Sequence, residues 1–213
     1  MTQNHLTPKA EETRQSILDA GHALVLRKGF ANLGLQEILK AADVPKGSFY
    51  HYFASKEAFG TALLMQYVQG YADRLTVLLA RPGTGRERLM RYWQAWIVDP
   101  DDPARPGWSQ GCLVVKLAAE VADLSEEMRL VLADGVERLH KLAAALIAEA
   151  RADGSLPPGA EAGALARILY QMWLGSALLS KLTRSPLPLH GALAATEQLL
   201  ACKAGAATER TIS

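Results

Sequence analysis

The chain has 213 residues, of which 49% are hydrophobic and 21% are charged, and its formal net charge is +1 at pH 7. This composition is typical of an ordinary globular protein with enough apolar material for a sizeable core, in one domain or two small ones. It argues against a protein that binds a charged partner through its overall charge. Any nucleic-acid binding must therefore depend on where individual cations are placed.

The chain contains two cysteines, Cys112 and Cys202, neither of them in a CxxC pair, and it begins without a secretory apolar segment. A reducing cytoplasm is therefore the expected setting, and a disulfide scaffold is not expected. The longest apolar run, Ile168 to Leu179, is shorter than the roughly 18 residues that a membrane helix needs, so no membrane span is expected. The histidines are scattered and show no metal-ligand spacing, so neither a metal nor a cofactor is expected.

Apolar residues at helical spacing predict a first helix that is capped by Thr13 and ends near Lys28, where Gly29 provides a stop. Residues 1 to about 9 are polar and are expected to be loose. Lys9 and Arg14 could form a cationic arm beside a bound duplex. A second helix is predicted from Gly34 to Ala42, and its start would bring Gln36 near a phosphate, although a solvated surface position is an equal alternative for this residue.

The segment Val44 to Phe53, with the sequence VPKGSFYHYF, is typical of the turn and second helix of a helix-turn-helix. Pro45 disfavours continuation of the preceding helix, and the next helix offers free backbone N–H groups suited to phosphate. Phe49 and Phe53 are four residues apart and share one face, so we expect them to pack inward. The side chains left to meet a duplex are Lys46, Ser48, Tyr50 and His51, with Tyr52 near the edge.

The pattern TRQSIL, KGF and ILKAADVPKGSFYHYFASKEAF, from about Thr13 to Leu64, resembles the N-terminal domain of the TetR family of bacterial transcriptional repressors. The resemblance implies an all-α fold, with a three-helix DNA-binding domain at residues 1–54 and a helical ligand-sensing and dimerisation domain at residues 55–203. Residues 204–213 are small and polar and are expected to be disordered. The predicted DNA contacts are Thr13, Gln36, Lys46, Gly47, Ser48, Tyr50, His51, Tyr52 and Lys56.

Further helices are predicted throughout the rest of the chain, and no strand or internal repeat is indicated. The expected helices run from a cap at Ser55 to about Ala80, from Arg86 to Val98, from about Gly111, from Ser125 to about Gly154, from about Ala162 to Leu182, and from Leu189 to Cys202. The helix after Ala162 is apolar over more than one face, so it must be buried on more than one side. The resemblance implies that the two C-terminal helices form a four-helix homodimer interface.

Cys112 follows Gly111 at the apparent start of a helix, with Lys116 one turn further on. A helix N-terminus and a nearby cation both lower the pKa of a thiol, which would make a nucleophilic thiolate. The alternative is that a lone cysteine among Leu113, Val114 and Val115 is an inert small hydrophobe. The residues alone leave both interpretations open.

The segments GCLVVKLAAEVADLSEEMR and WLGSALLSKLTRSP are similar to the subgroup of TetR regulators typified by the repressor of the N-ethylmaleimide reductase operon. That resemblance implies a sensor of electrophiles and oxidants in which Cys112 reacts and Lys181 is its partner. Lys181 would stabilise the thiolate or close a sulfur–nitrogen bond after oxidation. A solvated lysine near a helix end is the alternative for Lys181, and Cys202 is interpreted as incidental.

Two other functions compete with this hypothesis. A TetR repressor could bind a noncovalent apolar ligand in a pocket lined by Trp93, Trp96, Trp108, Tyr170 and Trp173, although these aromatics could equally form the core. An enzyme with Cys112 as nucleophile is the other rival. It is disfavoured because no histidine shares a motif with that cysteine. The expected partners are thus double-stranded operator DNA, a second copy of the chain and a small electrophile or oxidant.

Overall fold

The computed structural model describes residues 7–201, with the exception of the Lys46 side chain. Cys202 and the predicted disordered tail lie outside these described residues. The helices are α1 (Pro8–Lys28), α2 (Leu35–Ala41), α3 (Phe49–Tyr52), α4 (Lys56–Ala80), α5 (Gly85–Ile97), α6 (Leu113–Leu124), α7 (Glu126–Ala152), α8 (Ala162–Thr183) and α9 (Leu187–Ala201). Short 3₁₀ helices cover Lys46–Ser48 and Trp108–Gly111.

Extended pairing within residues 7–201 is limited to one isolated bridge, between Val98 and Pro106. The prediction of an all-α fold is therefore confirmed. In the same part of the chain, no helix combines the length and the apolar character needed to cross a membrane.

The described residues form two compact units. The first takes the chain up to Ala72 together with Lys116–Gly135, and the second takes Asp73–Val115 together with the residues from Val136 onward. Helices α4, α6 and α7 each contribute residues to both units. The predicted domain boundary at residue 54, which falls between α3 and α4, stays a prediction.

Helix α1 begins earlier than the sequence pattern indicated. Thr7 is its N-cap and accepts a hydrogen bond from the Ala10 N–H at 3.4 Å, and Pro8 occupies the first turn. Thr13 lies inside the helix and its hydroxyl donates to the Lys9 carbonyl at 2.9 Å. The prediction of Thr13 as the cap was wrong, and so was the prediction of a loose chain at positions 7 to 9, whereas residues 1–6 lie outside the described part of the chain. A proline with its fixed φ is pre-organised for the first helical position.

The other helix ends largely follow the local signals. Helix α1 ends at Lys28, as predicted, and Gly29 follows at a φ of 82°, a conformation that favours glycine. Ser55 caps α4 by accepting from the Ala58 N–H at 3.0 Å. Helix α9 begins at Leu187, two residues before its predicted start, because a proline at position 188 is tolerated in a first helical turn.

The core of the first unit joins α1, α2, α3 and α4. Gly21 allows the ring of Phe59 to lie directly against α1, where a Cβ atom would collide with it. The buried apolar side chains include Ile17, Leu18, Phe30, Ile38, Phe49, Phe53, Phe59 and Leu64, with Leu117, Val121 and Met128 from α6 and α7. The helices that carry the predicted DNA contacts are therefore fixed to a shared core.

The core of the second unit is rich in aromatic side chains. Trp93, Trp96 and Trp173 are each at most 2% exposed, and α8 packs against α9 while α5 packs against α9. A different face of α8 and α9 remains uncovered in the single chain. Its exposed apolar residues are Ile168, Leu178, Leu179, Leu182, Leu187 and Leu199.

Candidate functional sites

The turn between α2 and α3 has the geometry of a helix-turn-helix. The chain leaves α2 through Asp43, whose φ of 54° lies in the left-handed region that Asp and Asn tolerate better than most residues. The N–H of Val44 donates to the Leu39 carbonyl at 3.0 Å, which closes the end of α2. Pro45 then starts a 3₁₀ turn, in which the Ser48 N–H donates to its carbonyl at 2.9 Å.

Phe49 and Phe53 anchor α3 to the rest of the unit. Their rings lie 5.4 Å apart and contact Phe59 at 5.6 and 5.2 Å between centroids. Both side chains are at most 3% exposed, so the prediction that they pack inward is confirmed. The guanidinium of Arg14 lies 5.3 Å from the Phe53 ring centroid, which places this cation beside the end of α3.

The remaining residues of the segment face outward to different degrees. Tyr50 is 66% exposed, Gly47 and His51 are also exposed, and Ser48 and Tyr52 are half-buried. Gln36 is exposed near the start of α2. The Lys46 side chain lies outside the described part of the chain. These positions therefore offer hydroxyl, imidazole and amide groups on one short segment and the neighbouring helix start.

Lys56, another predicted DNA contact, has intramolecular contacts in the structure. Its ammonium donates to the Ala31 carbonyl at 3.1 Å and lies 5.1 Å from the centroid of the Phe30 ring. Lys56 is half-buried, so part of its role is to hold the segment after α1. Neither Ala31 nor Phe30 carries a sequence signal that would have identified this contact.

The segment before Cys112 is fixed to the end of α5. The buried Ser109 hydroxyl donates to the Trp96 carbonyl at 2.6 Å, and the Gly107 N–H donates to the Ile97 carbonyl at 3.2 Å. Gly107 is required here because a Cβ atom would collide with the α5 backbone. Trp108 is 7% exposed, and the guanidinium of Arg74 lies 5.0 Å from its ring centroid.

Cys112 itself is 4% exposed and has extended backbone angles, φ −69° and ψ 110°, between the 3₁₀ turn and α6. Its N–H donates to the Ser109 carbonyl at 3.3 Å. Tyr170 on α8 is close enough to interact electrostatically with this thiol. Burial, and then the charges that Cys112 and Tyr92 would carry, raise the pKa of Tyr170. Tyr170 therefore stays a neutral hydroxyl beside the thiol.

The two lysines that the sequence associates with Cys112 lie in different environments. The Lys116 ammonium points toward the end of α1 and donates to the Arg27 carbonyl at 3.4 Å. Lys181 is half-buried in the last turn of α8, next to the buried Ser180. A reaction between Lys181 and Cys112 stays a prediction.

Four of the five predicted pocket residues pack on one another. The Trp93 and Trp173 rings stack at 5.0 Å, and the Trp96 ring meets the Tyr170 ring edge-on at 6.1 Å. The fifth, Trp108, lines a surface cleft of about 250 Å³. The cleft is formed by Asp73, Arg74, Val77, Leu78, Arg81, Pro100, Asp101 and Trp108. Among residues 7–201 there is no cluster of three or more side chains suited to hold a metal ion.

An all-helical chain with a helix-turn-helix, whose second helix buries its phenylalanines and exposes a tyrosine and a histidine, has the architecture of a DNA-binding transcription regulator. Comparison with known families agrees with this class. A family model described as bacterial regulatory proteins, tetR family, matches residues 17–63, and one described as tetracyclin repressor-like, C-terminal domain, matches residues 85–196.

Similar proteins cover nearly the whole chain. The sequence is 42% identical over 194 residues to the HTH-type transcriptional repressor NemR of Escherichia coli (strain K12), covering 91% of this chain and 96% of that protein. It is 36% identical over 183 residues to the transcriptional regulator AcuR of Cereibacter sphaeroides, covering 86% and 83%. The crystal structure of reduced E. coli NemR matches with a TM-score of 0.79 at 40% identity, covering 91% of this chain and 100% of that chain. The chain belongs to the TetR family of bacterial transcriptional regulators.

Proposed function

We propose that this protein is a cytoplasmic TetR-family repressor that binds a palindromic operator as a homodimer and releases it when an electrophile or oxidant modifies Cys112. The genes released from repression would encode enzymes that detoxify such compounds. The observation that carries the proposal is the 42% identity to the repressor NemR over 91% of the chain. The buried thiol directly before α6 gives the inducer a defined target.

DNA contact would be made by Gly47, Ser48, Tyr50 and His51, with Gln36 at the start of α2. The 66% exposure of Tyr50 supports this role, since nothing in the core requires its hydroxyl. Contacts to phosphates set the position on the duplex and cause salt dependence, while contacts to base edges select the sequence. Lys46 and Tyr52 remain proposed contacts of the same segment, and Thr13 and Lys56 remain proposed as flanking contacts.

The homodimer would form through α8 and α9. On α8 the exposed positions Gln171, Gly175, Leu178 and Leu182 form one stripe at spacings of three and four residues. On α9 the exposed positions Leu187, Gly191, Ala194 and Gln198 form a second stripe. Apolar and small side chains on two adjacent helices are suited to close packing against the same surface of a second copy.

Two reactions would modify the thiol. With an activated alkene, the thiol sulfur bonds to one alkene carbon as the π bond breaks, and the other alkene carbon takes up a proton. This proton balances the one that the thiol loses. With hypochlorite, the thiol is oxidised to a sulfenic acid while the oxidant is reduced to chloride. The Lys181 amine could then displace water from that sulfur to form a sulfur–nitrogen bond. Either product adds bulk at a site that is only 4% exposed.

A second candidate is induction by a noncovalent ligand. The cleft lined by Trp108 is the specific observation that favours it, because this residue lies four positions before Cys112. Thiol-dependent catalysis has weaker support, since the relatives described above are named as transcriptional regulators.

The test is fluorescence anisotropy with the DNA segment upstream of the protein's own gene, with and without N-ethylmaleimide or hypochlorite. The variants are wild type, Cys112→Ser and the matched control Cys202→Ser. We expect wild type and Cys202→Ser to release the DNA on treatment, while Cys112→Ser stays bound. Equal release by all three would support the noncovalent candidate. Absence of binding by every untreated variant would reject this segment as the operator.

A further inference from the structure

Helix α6 begins one residue after Cys112 and carries two polar side chains that reach the end of α1. The Lys116 ammonium donates to the Arg27 carbonyl at 3.4 Å. The Glu120 carboxylate, one turn further along, accepts hydrogen bonds from the backbone N–H groups of Phe30, at 3.2 Å, and of Ala31. All of these contacts lie within the first compact unit. One helix is therefore attached to the α1–α2 connection at two points.

The connection itself has little freedom to adjust. Gly29 has a φ of 82°, and a Cβ atom there would lie 2.9 Å from Glu120 Oε2, so the carboxylate sits directly against the backbone. Phe30 is 1% exposed and fixed in the core. On its other side, the Ala31 carbonyl accepts from Lys56 at the start of α4. Ala31 is thus held through its N–H by α6 and through its carbonyl by α4.

A carboxylate that accepts from two successive backbone N–H groups makes a directional, charge-assisted contact. Those two N–H groups follow the last turn of α1 and precede α2, the first helix of the helix-turn-helix. A displacement of α6 along its axis would therefore act on the backbone that joins α1 to α2. A helix is stiff along its axis, so a change at Leu113 reaches Glu120 two turns later.

We propose that Glu120 is a positioning residue that couples the state of Cys112 to the DNA-binding helices, by holding Phe30 and Ala31 to α6. The proposal rests on the proposed function, since it names the contact through which modification changes DNA affinity. The carboxylate fixes the α1–α2 connection when the thiol is free. Modification displaces the first turn of α6, and the Glu120 hydrogen bonds to Phe30 and Ala31 are loosened.

A first experiment tests the coupling without DNA. Residue-resolved hydrogen exchange is measured at the Phe30 and Ala31 amides of the full chain before and after alkylation with N-ethylmaleimide, in a Cys202→Ser background. We expect alkylation to raise exchange about tenfold or more at both amides, as for local loss of a protecting hydrogen bond. In Glu120→Gln an NH₂ group, which cannot accept, replaces one of the two oxygens, so at least one of the two amides should already exchange fast and change little on alkylation. Unchanged exchange in the parent chain after complete alkylation would overturn the proposal.

A second experiment measures the ratio of DNA dissociation constants for alkylated and untreated protein. A coupled system gives a ratio of roughly 5 to 150. Glu120→Gln should bring the ratio close to one, and Lys116→Met should reduce it less, because it removes only the longer contact at Arg27. Asp123→Asn is the matched control, since it removes one exposed acid from the same helix and should keep the parent ratio.

The outcomes separate this proposal from the proposed function. If the parent chain binds the DNA and alkylation does not release it, while alkylation still speeds exchange at Phe30 and Ala31, the proposed release mechanism fails and the Glu120 coupling stands. A parent ratio retained by a folded Glu120→Gln refutes the coupling and leaves the repressor function intact. If Glu120→Gln does not show the parent's cooperative thermal unfolding, this variant is not used. The coupling is then tested by the ratio of dissociation constants for Lys116→Met and by amide exchange in the parent chain.

Discussion

The indole of Trp93 on α5 stacks on the indole of Trp173 on α8, with ring centroids 5.0 Å apart and ring planes 11° apart. Trp173 also donates from Nε1 to the Thr196 hydroxyl at 2.9 Å, and that hydroxyl donates to the Ala192 carbonyl at 2.7 Å. Thr196 lies on α9 and is fully buried. Three helices of the second unit are therefore joined at one buried point.

This arrangement predicts a non-additive pair of substitutions. Thr196→Val should destabilise the protein by about 1–3 kcal/mol, because it leaves the Trp173 N–H buried without an acceptor. Trp173→Phe should also destabilise through lost volume and a lost hydrogen bond. The loss of unfolding free energy in the double variant should be smaller than the sum of the losses in the two single variants. The reason is that neither partner then leaves a buried polar group unsatisfied. Urea unfolding of all four proteins measures the coupling, and strict additivity would contradict the assigned hydrogen bond.

Tyr50 is expected to contribute to DNA affinity without contributing to stability. Tyr50→Ala should weaken operator binding by roughly 10- to 100-fold if the hydroxyl donates to a phosphate, the range for one hydrogen bond to a charged group. Its thermal unfolding temperature should stay near that of wild type, because the side chain is 66% exposed. Phe49→Ala is the contrasting variant, because removing a core ring should lower the unfolding temperature. Anisotropy and calorimetry distinguish the two, and wild-type affinity in folded Tyr50→Ala would remove Tyr50 from the interface.

The exposed face of α8 and α9 is expected to hold the dimer together. Leu182 and Leu187 are 77% and 73% exposed in the single chain, so a glutamate at both positions would place two charges in an apolar interface. Multi-angle light scattering should give a dimer for wild type and a monomer for Leu182→Glu/Leu187→Glu. Val77→Glu changes an apolar residue on α4 that is 64% exposed, and it should remain dimeric. A dimeric double variant would place the interface elsewhere.

The burial of Cys112 predicts that its reaction requires local opening. In a Cys202→Ser background, N-ethylmaleimide should modify Cys112 of the native protein at least ~10 times more slowly than it modifies the unfolded chain in urea. The reason is that a side chain 4% exposed cannot meet the reagent without displacement of its neighbours. Mass spectrometry of timed samples gives both rates. Equal rates would show that the thiol is freely accessible in solution.

Two carboxylates at the start of α5 predict an acid-dependent loss of stability. Glu87 accepts from the N–H and the hydroxyl of Thr84, and Asp153 accepts from the Gly85 N–H. These hydrogen bonds lower the pKa of both groups below their ordinary values of 4.5 and 3.8, with the backbone N–H as the largest cause in each case. Because the pKa of each carboxyl is lower in the native than in the unfolded state, the contribution of both groups to stability is fully present at a pH above their ordinary pKa values. It is lost as the pH falls through the lowered native values.

Glu87→Gln and Asp153→Asn should therefore lower the urea midpoint at neutral pH. The difference from wild type should shrink as the pH falls below about 4, where the wild-type carboxyls also become neutral. Urea unfolding at neutral and acid pH measures this difference. A difference that stays constant across the range would mean that the effect comes from side-chain packing and not from ionisation.

The helix-turn-helix could be predicted because its signals are local. Pro45 and the four-residue spacing of Phe49 and Phe53 lie within one short segment, and Ser55 is a cap that acts three residues away. The start of α1 was missed although it is local as well. The pair Thr7 and Pro8 begins the helix earlier than the apolar pattern, which reports where a helix is buried and not where it starts.

The partners of individual side chains could not be predicted in this way. Nothing around Glu120 distinguishes it from other acids on exposed helix faces, and its hydrogen-bond partner Phe30 is 90 residues away in the chain. The same holds for the Lys56 ammonium on the Ala31 carbonyl, and for the four aromatics of the predicted pocket, which pack on one another in the core. Each of these contacts depends on which helix faces meet.

The sequence by itself determined the all-helical fold, most helix ends, the position of the helix-turn-helix and the family. Helical period, capping and turn conformation depend on residues a few positions apart, so one sequence can specify them. Only the tertiary structure decided that Cys112 is buried beside Tyr170, that Lys116 points to Arg27, and that α6 is attached to the α1–α2 connection. Burial and hydrogen-bond pairing depend on segments distant in the chain, and these are fixed only when the helices pack.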